Sequence, residues 1–460
     1  MIVLLLAVIY NFSVHSSQAG DCDRGNNNLS RFGLSCEYLC HCGTSQCDRE
    51  TGDCPSNGEC DGGWMGSGCQ YANIAHNKTV YSNHLNNTAN IVDGRRDSCP
   101  YKTQLNSNPA YVMVSFGREV KITEVNIVFS NSDDVPPFAV RVFDGNETFV
   151  CGLVGNTTGR KEYVINCNST LYGQNLSITS ESSAALNVCE IQVPAGRNMA
   201  YGKPALQSSL YQSYYASNAV DGLTYHATSL RTCTHTPDSE NPWWIVDLQT
   251  SIKIRWFRIF NRPDDTDTSL NERLRNFRIL LSHDNVTFNQ SYQDQNNGPN
   301  DPPLVIEPGL KHDVLARFVK IDLQGTERIL SLCEVQVFGD CTDGLYGDNC
   351  SHNCGRCLDS CDKVDGHCPR GCQNGWKGAE CLQECDLYFY GNCSTPCGHC
   401  AFSESCNKVN GSCNVDGCAS GWQTEKCDIQ CNSTYYGLNC AQPCGYCLNN
   451  TCDRFTGNCS

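Results

Sequence analysis

Short apolar segments separated by turn-forming residues make up the middle of the chain. These segments are rich in β-branched and aromatic residues, and Gly, Pro, Asn and Asp lie between them, a pattern that is typical of short β-strands. No segment carries a long apolar repeat with a period of 3.6 residues, so we expect no long helix there. The predicted strands are Tyr111–Phe116, Ile122–Phe129, Ile245–Leu248, Ile252–Phe260, Phe277–Leu281 and Phe318–Leu323.

Two stretches of this β-rich region repeat the same short motifs. Residues 89–94 parallel residues 217–222, and both end in Val-Asp-Gly. Residues 186–193 parallel residues 330–337, and both contain Cys-Glu followed by an aliphatic residue, Gln and Val. Each stretch has the length of one β-sandwich. The sequence therefore predicts a mainly β protein with two tandem sandwiches, at 73–197 and 198–340.

The cysteines divide the chain into core-forming and disulfide-stapled regions. Of 36 cysteines, eight lie between Cys22 and Cys69 and 22 between Cys341 and Cys459, whereas residues 73–339 contain only six. So many cysteines indicate an oxidising, extracellular compartment, which argues against a cytosolic enzyme. The equivalent positions of the middle six suggest the pairs Cys99–Cys189 and Cys233–Cys333, which leaves Cys151 to pair with Cys167.

The two cysteine-rich ends are built from a repeat of eight cysteines that carries a Gly-rich ending such as Gly-Trp-Lys-Gly at 375–378. These units resemble laminin-type EGF-like repeats of the multiple-EGF-like-domain receptors. The resemblance implies EGF-like units at 21–72, 341–383 and 384–429, and a truncated unit at 430–460. The Cys-X-X-Cys pairs inside them have the spacing of zinc or redox sites, but their recurrence in register favours disulfide staples.

The N-terminus and the net charge bear on the location and the partners. An apolar run at residues 2–9 and a small-residue stretch at 16–20 predict a signal peptide at 1–20, and hence a secreted protein or an ectodomain. A formal charge of -16 disfavours nucleic acid as a partner and tyrosine-mediated membrane insertion. The sequence has no HExxH or GxSxG motif and no paired-carboxylate motif, so we expect no enzymatic activity.

The second β-rich stretch carries a series of motifs in a characteristic order. They are Ser-Asn-Ala-Val-Asp-Gly at 217–222, Cys-Thr-His-Thr at 233–236, Asn-Pro-Trp-Trp-Ile-Val-Asp-Leu at 241–248, Asn-Arg at 261–262 and Ser-Leu-Cys-Glu-Val at 331–335. In these motifs the stretch resembles an F-type lectin domain of the galactose-binding, discoidin-like superfamily. The resemblance implies tandem jelly-roll β-sandwiches flanked by disulfide-rich EGF-like repeats.

The resemblance also implies a carbohydrate-binding site. The family motif is a His, 26 intervening residues, Arg-X-Asp, four residues and a basic residue. Here His235 precedes Arg262 and Asp264 at that spacing, but Ser269 stands at the final position, so we assign the last role to Arg273, four residues further on. Two guanidinium groups and an imidazole are suitable donors for vicinal hydroxyls. The alternatives are a turn-holding role for His235 and solvated or ion-paired arginines.

A structural calcium ion is the second implication of the resemblance. Hard oxygen ligands from several loops suit Ca²⁺. The alternative is that Asp221 and Gly222 form a plain turn and that Glu334 is a surface acid. The matching ligand positions are Asn218, Asp221, Leu223 through its carbonyl, Thr232, Cys333 through its carbonyl, and Glu334.

The first stretch departs from the family at the sugar-binding positions. Tyr101 replaces the His and Asn131 replaces the first Arg, and the stretch carries six Asn-X-Ser/Thr sequons against two in the second stretch. We interpret it as a degenerate, glycosylated spacer. The predicted function is extracellular recognition of fucosylated or related glycans, in a scavenger-receptor-like or pattern-recognition protein. The alternative is a cell-adhesion protein that binds cell-surface or matrix proteins and no sugar.

Overall fold

The computed structural model describes residues 30–33, 35–43, 46–55, 59–102, 109–130, 135–155, 159–224, 232–262, 272–295, 302–413 and 416–459. The predicted signal peptide lies outside the described residues. The chain divides into two compact units, one ending at Asp340 and one spanning Cys341–Ser460. The finer domain boundaries stay predictions. Within the described ranges, no helix is long and apolar enough to cross a membrane.

The first unit begins with a small cysteine-rich segment. Its disulfides in the described part are Cys40–Cys47, Cys42–Cys54 and Cys60–Cys69. It also contains a 3₁₀ turn at Ser67–Cys69. Its strands are β1 (Arg31–Phe32), β2 (Tyr38–Leu39) and β3 (Trp64–Met65).

The first sandwich contains a six-stranded antiparallel sheet. Its order is β10-β9-β11-β8-β12, and β5 pairs with β8, while a 3₁₀ turn spans Thr88–Val92. The strands of this region are β4 (Tyr71–Asn73), β5 (Thr79–Ser82), β6 (Leu85–Asn86), β7 (Tyr101–Lys102), β8 (Tyr111–Phe129), β9 (Phe138–Asp144), β10 (Glu147–Val154), β11 (Glu162–Ser180) and β12 (Val188–Gln192).

The second sandwich is built on a ten-stranded sheet of order β17-β16-β19-β15-β20-β13-β4-β3, with β14 and β18 pairing with β15. A 3₁₀ turn spans Ala216–Ala219. The new strands are β13 (Pro194–Asn198), β14 (Ala205–Gln207), β15 (Trp243–Phe260), β16 (Arg278–Ser282), β17 (Asn289–Gln293), β18 (Val305–Ile306), β19 (Gly309–Asp322) and β20 (Glu334–Asp340). The protein is thus mainly β, with sheets typical of galactose-binding jelly rolls.

In two places the structure has one continuous strand where the sequence predicted two separate strands. The prediction separated Tyr111–Phe116 from Ile122–Phe129, but both belong to β8, and β15 likewise joins the predicted segments at 245–248 and 252–260. Each long strand has a residue with positive φ at the break, Gly117 at 71° and Gln249 at 66°. The pairing register also shifts between Asp247 and Ile252. The turn-forming residues therefore bend these strands without ending them.

The junction between the sandwiches is packed as a continuous interior. Trp256 and Phe338 of the second sandwich belong to the same buried apolar cluster as the core of the first, and their rings stack with centroids 4.1 Å apart. Arg197 on β13 donates two hydrogen bonds to Asp340 on β20, of 3.0 and 2.8 Å. Both side chains are buried. The linking strands therefore join the sandwiches through paired backbone, apolar packing and a buried ion pair.

The three disulfides inferred for the sandwiches are present in the structure. Cys99 is bonded to Cys189, and Cys151 is bonded to Cys167. Cys233 is bonded to Cys333, which ties the loop before β15 to the start of β20. This last bond lies next to the predicted sugar-binding and calcium-binding residues.

The second unit is a row of small disulfide-stapled repeats. In the first repeat the pairs are Cys341–Cys350, Cys354–Cys361, Cys357–Cys368 and Cys372–Cys381, and the second repeat has the same order. The cysteines of each Cys-X-X-Cys motif bond to other partners, as the staple interpretation predicted. Short hairpins β21 to β30 complete the repeats: Leu345–Tyr346, His352–Asn353, Trp376–Lys377, Gln383–Glu384, Phe389–Tyr390, Thr395–Pro396, Trp422–Gln423, Ile429–Gln430, Tyr435–Tyr436 and Gln442–Pro443.

Candidate functional site

His235 lies in a loop that is fixed by the neighbouring chain. The backbone N–H of Thr234 donates to the carbonyl of Leu332 at 2.7 Å, and that of Thr236 donates to Leu330 at 3.1 Å. The two threonine hydroxyls accept hydrogen bonds from the N–H groups of the same two leucines. The loop therefore holds the His235 backbone rigidly, and the imidazole is 8% exposed.

The hydrogen bonds of His235 define a neutral imidazole. Its Nδ1 lies 2.8 Å from the carbonyl oxygen of Thr236, so Nδ1–H is the donor, and Nε2 accepts a hydrogen bond from Nη1 of Arg273 at 3.0 Å. Burial lowers the pKa of His235 to about 4, and the positive charges of Arg273 and Arg262 act in the same direction. The imidazole is therefore uncharged at neutral pH, and its outer nitrogen faces a guanidinium.

Arg273 contacts the imidazole, and Arg262 lies close enough for its charge to lower the pKa of His235. Arg262 is the second residue after β15, and its backbone N–H donates to the buried side chain of Asn261 at 2.8 Å. Arg273 is followed by Leu274, which is fully buried and anchors that segment. The structure thus brings together three of the four predicted sugar-binding residues. The fourth, Asp264, lies outside the described residues.

Two tyrosines form an aromatic wall beside the imidazole. The ring of Tyr211 stacks on His235 with centroids 4.6 Å apart, and that of Tyr214 lies 5.5 Å away. The Arg262 guanidinium lies over the Tyr214 ring at 5.5 Å. Tyr211 keeps 42% of its surface exposed. The group therefore combines hydrogen-bond donors with an exposed aromatic surface.

Gln207, which no sequence motif indicated, joins the tyrosine loop to the histidine loop. Its side-chain amide donates to the carbonyl of Tyr214 at 3.0 Å and to that of His235 at 3.3 Å. The backbone N–H of Tyr211 also donates to the His235 carbonyl at 3.1 Å. A Gln at the end of a short edge strand carries no recognisable signal, so only the contacts between the loops identify it.

Glu334 and Asp221 form a pair of neighbouring carboxyl groups, the first fully buried and the second half-buried. Glu334, at the start of β20, is fully buried, so the alternative that it is a surface acid is wrong. Its Oε2 accepts a hydrogen bond from the N–H of Gly222 at 3.2 Å, whereas its Oε1 has no hydrogen-bond partner among the described residues. Burial, and then the charge of Asp221, raise its pKa well above the usual range. Burial also raises the pKa of Asp221 to about 6.

The remaining predicted metal ligands lie next to this pair or next to Cys233, through a hydrogen bond or by adjacency in the sequence. Asn218 donates from its amide to the Cys233 carbonyl at 3.0 Å, and the N–H of Leu223 donates to Asp221 at 2.9 Å. Cys333 directly precedes Glu334, and Thr232 directly precedes Cys233. Two neighbouring carboxyl groups, the half-buried Asp221 and the fully buried Glu334, suit a hard cation. The residues present therefore fit a calcium ion.

The first sandwich has an equivalent buried carboxylate. Glu190 is fully buried, and burial followed by the charge of Asp93 raises its pKa to about 9. The counterpart of the first sugar-binding arginine, Asn131, lies outside the described residues, as does the side chain of Tyr101. The described part of the first sandwich therefore keeps an acidic pair like that of the second.

Comparison with known proteins finds a family model, relatives and solved structures that are similar to part of this chain. The family model of the NedA-like, galactose-binding domain matches residues 218–329. Fucolectin-6 from Anguilla japonica is 33% identical over 159 residues, covering 30% of this chain and 74% of the relative. Among solved structures, a fucose binding module from Streptococcus pneumoniae is 30% identical, covering 31% of this chain and 95% of that chain, with a TM-score of 0.27. The lectin domain of lectinolysin complexed with Lewis B antigen is 32% identical, covering 31% and 96%, with the same TM-score.

Proposed function

This chain belongs to the fucolectin family, and from that premise we propose that its second sandwich binds fucosylated glycans through His235, Arg262 and Arg273. The observation that carries the proposal is the contact of Arg273 with the imidazole, together with the influence of both guanidinium charges on the pKa of His235. The three side chains therefore come from three segments and surround one small region, in which a monosaccharide contacts all of them.

The chemistry of the three side chains suits adjacent sugar hydroxyls. Each guanidinium offers several N–H donors in a fixed plane. A sugar hydroxyl oxygen accepts from a guanidinium, while Nε2 of His235 accepts from Arg273 and so orients that guanidinium. The exposed face of Tyr211 receives an apolar sugar face or a deoxy methyl group. A single shallow site of this kind binds at roughly 10 µM to 1 mM, so useful avidity needs several sites.

Calcium has a structural role in this proposal. Asp221 and Glu334 are the charged ligands, and the side chain of Asn218 and the carbonyls of Leu223 and Cys333 join them, with Thr232. A bound calcium ion would supply positive charge next to the fully buried Glu334 and the half-buried Asp221. The Cys233–Cys333 disulfide connects this region to the His235 loop, so the loop geometry depends on both.

The first sandwich serves as a spacer in the same proposal. Four of its sequon asparagines have exposed side chains: Asn77, Asn86, Asn146 and Asn168. Glycans at these positions would cover its surface, whereas the second sandwich keeps its binding loops free of sequons. The protein acts as a secreted or ectodomain pattern-recognition lectin that carries its binding sandwich on EGF-like repeats.

The test is a glycan array probed with the full chain, with calcium and with chelator. We expect a signal on fucosylated glycans that is lost in His235→Ala and in Arg262→Ala and reduced at least tenfold in Arg273→Ala. Arg317→Ala is the matched control, because Arg317 pairs with Asp247 outside the site. Sugar binding that survives both the His235 and the Arg262 changes would contradict the site. A blank array together with adhesion to protein-coated surfaces would favour the adhesion alternative.

A further inference from the structure

A polar cavity lies between the two sandwiches, which belong to one compact unit. It has a volume of about 30 Å³, and a second one of about 20 Å³ adjoins it. The two cavities share Ile74, Arg118, Val120 and Trp256. A cavity needs about 10–15 Å³ to hold one water molecule, so the larger cavity holds a group of only a few heavy atoms. Other charged residues each line one of the two cavities: Lys78, Glu119, Lys121, Arg255, Arg258, Glu307 and Asp313.

Cations outnumber carboxylates in this lining. Glu307 is shared by Lys78 at 3.1 Å and Arg258 at 2.9 Å. Asp313 is likewise shared by Lys121 and Arg255. Five cationic side chains therefore face three carboxylates, of which Glu119 is exposed, in a protein whose overall charge is strongly negative.

Two guanidinium groups, those of Arg118 and Arg255, line the larger cavity. In the described part of the chain, Arg118 forms no ion pair and no hydrogen bond, and its guanidinium lies over the ring of Trp256 at 5.5 Å. Arg255 lies 3.8 Å from Asp313, and its Nε is buried without an acceptor. Burial lowers the pKa of Arg118. A buried donor without an acceptor is costly, so an acceptor that enters the cavity gains binding energy.

A glycine in β19 leaves room for the guanidinium of Arg118. Gly309, at the start of β19, faces Nη1 of Arg118 so closely that any side chain there would collide with it. Tyr172 of the first sandwich also lines the cavity, near Asp313 and Arg255. Both sandwiches thus contribute polar groups to one small space, and one of these groups, Nε of Arg255, is a buried donor without a hydrogen-bond acceptor among the described residues.

We propose that this inter-sandwich cavity binds a tetrahedral oxyanion of the sulfate type, held between the guanidinium groups of Arg118 and Arg255. Planar guanidinium donors match the oxygens of such an anion in pairs. The cavity volume admits the anionic group but no sugar ring, so a carrier molecule stays outside. The ligand chemistry is a sulfate, either as the free ion or as an ester on an extracellular saccharide.

The test titrates the full chain with sodium sulfate and, at equal ionic strength, with sodium chloride, following thermal unfolding and isothermal calorimetry. We expect sulfate to raise the Tm and to give a saturable heat, whereas chloride gives neither. Arg118→Gln and Arg255→Gln should each weaken sulfate binding at least tenfold. Arg317→Gln is the control, since it removes the same charge from a distant surface ion pair. Arg118→Lys, which keeps the charge but loses the planar fork, should bind at an intermediate level.

A second arm compares galactose 6-sulfate, galactose and inorganic sulfate, and so distinguishes the free ion from the saccharide ester. Tighter binding of galactose 6-sulfate than of sulfate assigns the cavity to an ester, and equal binding assigns it to the ion. His235→Ala should leave sulfate binding unchanged, which keeps this inference separate from the glycan site. If wild type gives no sulfate-specific response, or if both Gln variants bind as wild type does, the inference is wrong.

Discussion

Nη1 of Arg273 donates a 3.0 Å hydrogen bond to Nε2 of His235, although the two residues are 38 positions apart in the sequence. The contact places the guanidinium and the imidazole in one hydrogen-bonded pair before any ligand arrives. Because the His235 loop is held by backbone and threonine hydrogen bonds, little ordering is left for a bound sugar to impose. Preorganisation of this kind raises affinity by lowering the entropic cost of binding.

The neutral state of His235 predicts a specific pH dependence of stability. Its pKa is about 4 in the folded protein, against about 6.5 in an unfolded chain. Between these values the unfolded chain binds a proton that the folded protein does not, so this group's contribution to the free energy of unfolding rises with pH. We expect the Tm of wild type relative to His235→Gln to increase from pH 4 to pH 6.5 and then to stay constant. A difference that does not change with pH across that window would contradict the neutral imidazole.

Removing the charge of Glu334 should weaken calcium binding without lowering the stability of the calcium-free protein. In chelator at neutral pH we expect Glu334→Gln to be at least as stable as wild type, because the buried carboxylate has an unpartnered oxygen and lies near Asp221. With calcium, wild type should gain Tm, whereas the variant should require at least tenfold more calcium for the same gain. Calcium titrations followed by thermal unfolding measure both effects. Glu240→Gln, an exposed change in the same sandwich, should behave like wild type, and an unchanged calcium response in Glu334→Gln would contradict the metal site.

The buried ion pair at the junction should be important for stability. Arg197 and Asp340 have side-chain exposures of 3% and 10%, and loss of the Asp340 charge removes the carboxylate to which the buried Arg197 guanidinium donates two hydrogen bonds. We expect Asp340→Asn to lower the free energy of unfolding of the first unit by about 3–5 kcal/mol. Asp247→Asn, which breaks the more exposed pair with Arg317, should cost only about 0–1 kcal/mol. Denaturant unfolding monitored by tryptophan fluorescence compares the two, and equal losses would contradict the prediction.

The Cys233–Cys333 bond should support both proposed binding functions. It joins residues separated by 100 positions, and a closed loop of that length corresponds to about 4.7 kcal/mol in the chain-entropy model. We expect the double change of Cys233 and Cys333 to Ala to lower stability by about 2–5 kcal/mol and to weaken both glycan and calcium binding. The double change of Cys151 and Cys167 to Ala, in the first sandwich, should spare both ligands. Equal effects of the two double variants on glycan binding would contradict the link between this bond and the site.

Much of the architecture could be predicted because its signals are local. Alternating apolar segments and turn residues identified strands that the structure contains, although Gly117 and Gln249 bend β8 and β15 where the sequence predicted an interruption. Local sequence patterns do not predict such bends, because hydrogen bonding to the neighbouring strands decides whether a strand ends. The cysteine spacing likewise indicated stapled repeats, whose bonds have the same order in the first and second C-terminal units.

The candidate site was predictable only in part. Family spacing identified His235 and Arg262, and it suggested Arg273 four residues beyond the expected position. It could not indicate that Gln207 joins the two loops, because a glutamine on an edge strand has no distinctive neighbours in the sequence. Nor could it reveal that Arg118 and Arg255 line one cavity between the sandwiches, since each arginine looks like a solvated surface residue in its own strand.

The sequence by itself determined the β character, the stapled repeats and the residue types available for sugar and calcium binding. These properties depend on neighbours along the chain, on spacing and on composition. Only the tertiary structure decided that Arg273 meets His235 and that Glu334 is buried beside Asp221. It also decided that the cavities between the two sandwiches are lined by more cationic side chains than carboxylates. Each of these depends on contacts between residues far apart in the sequence, whose distances and burial are set by the packing of the whole sheet.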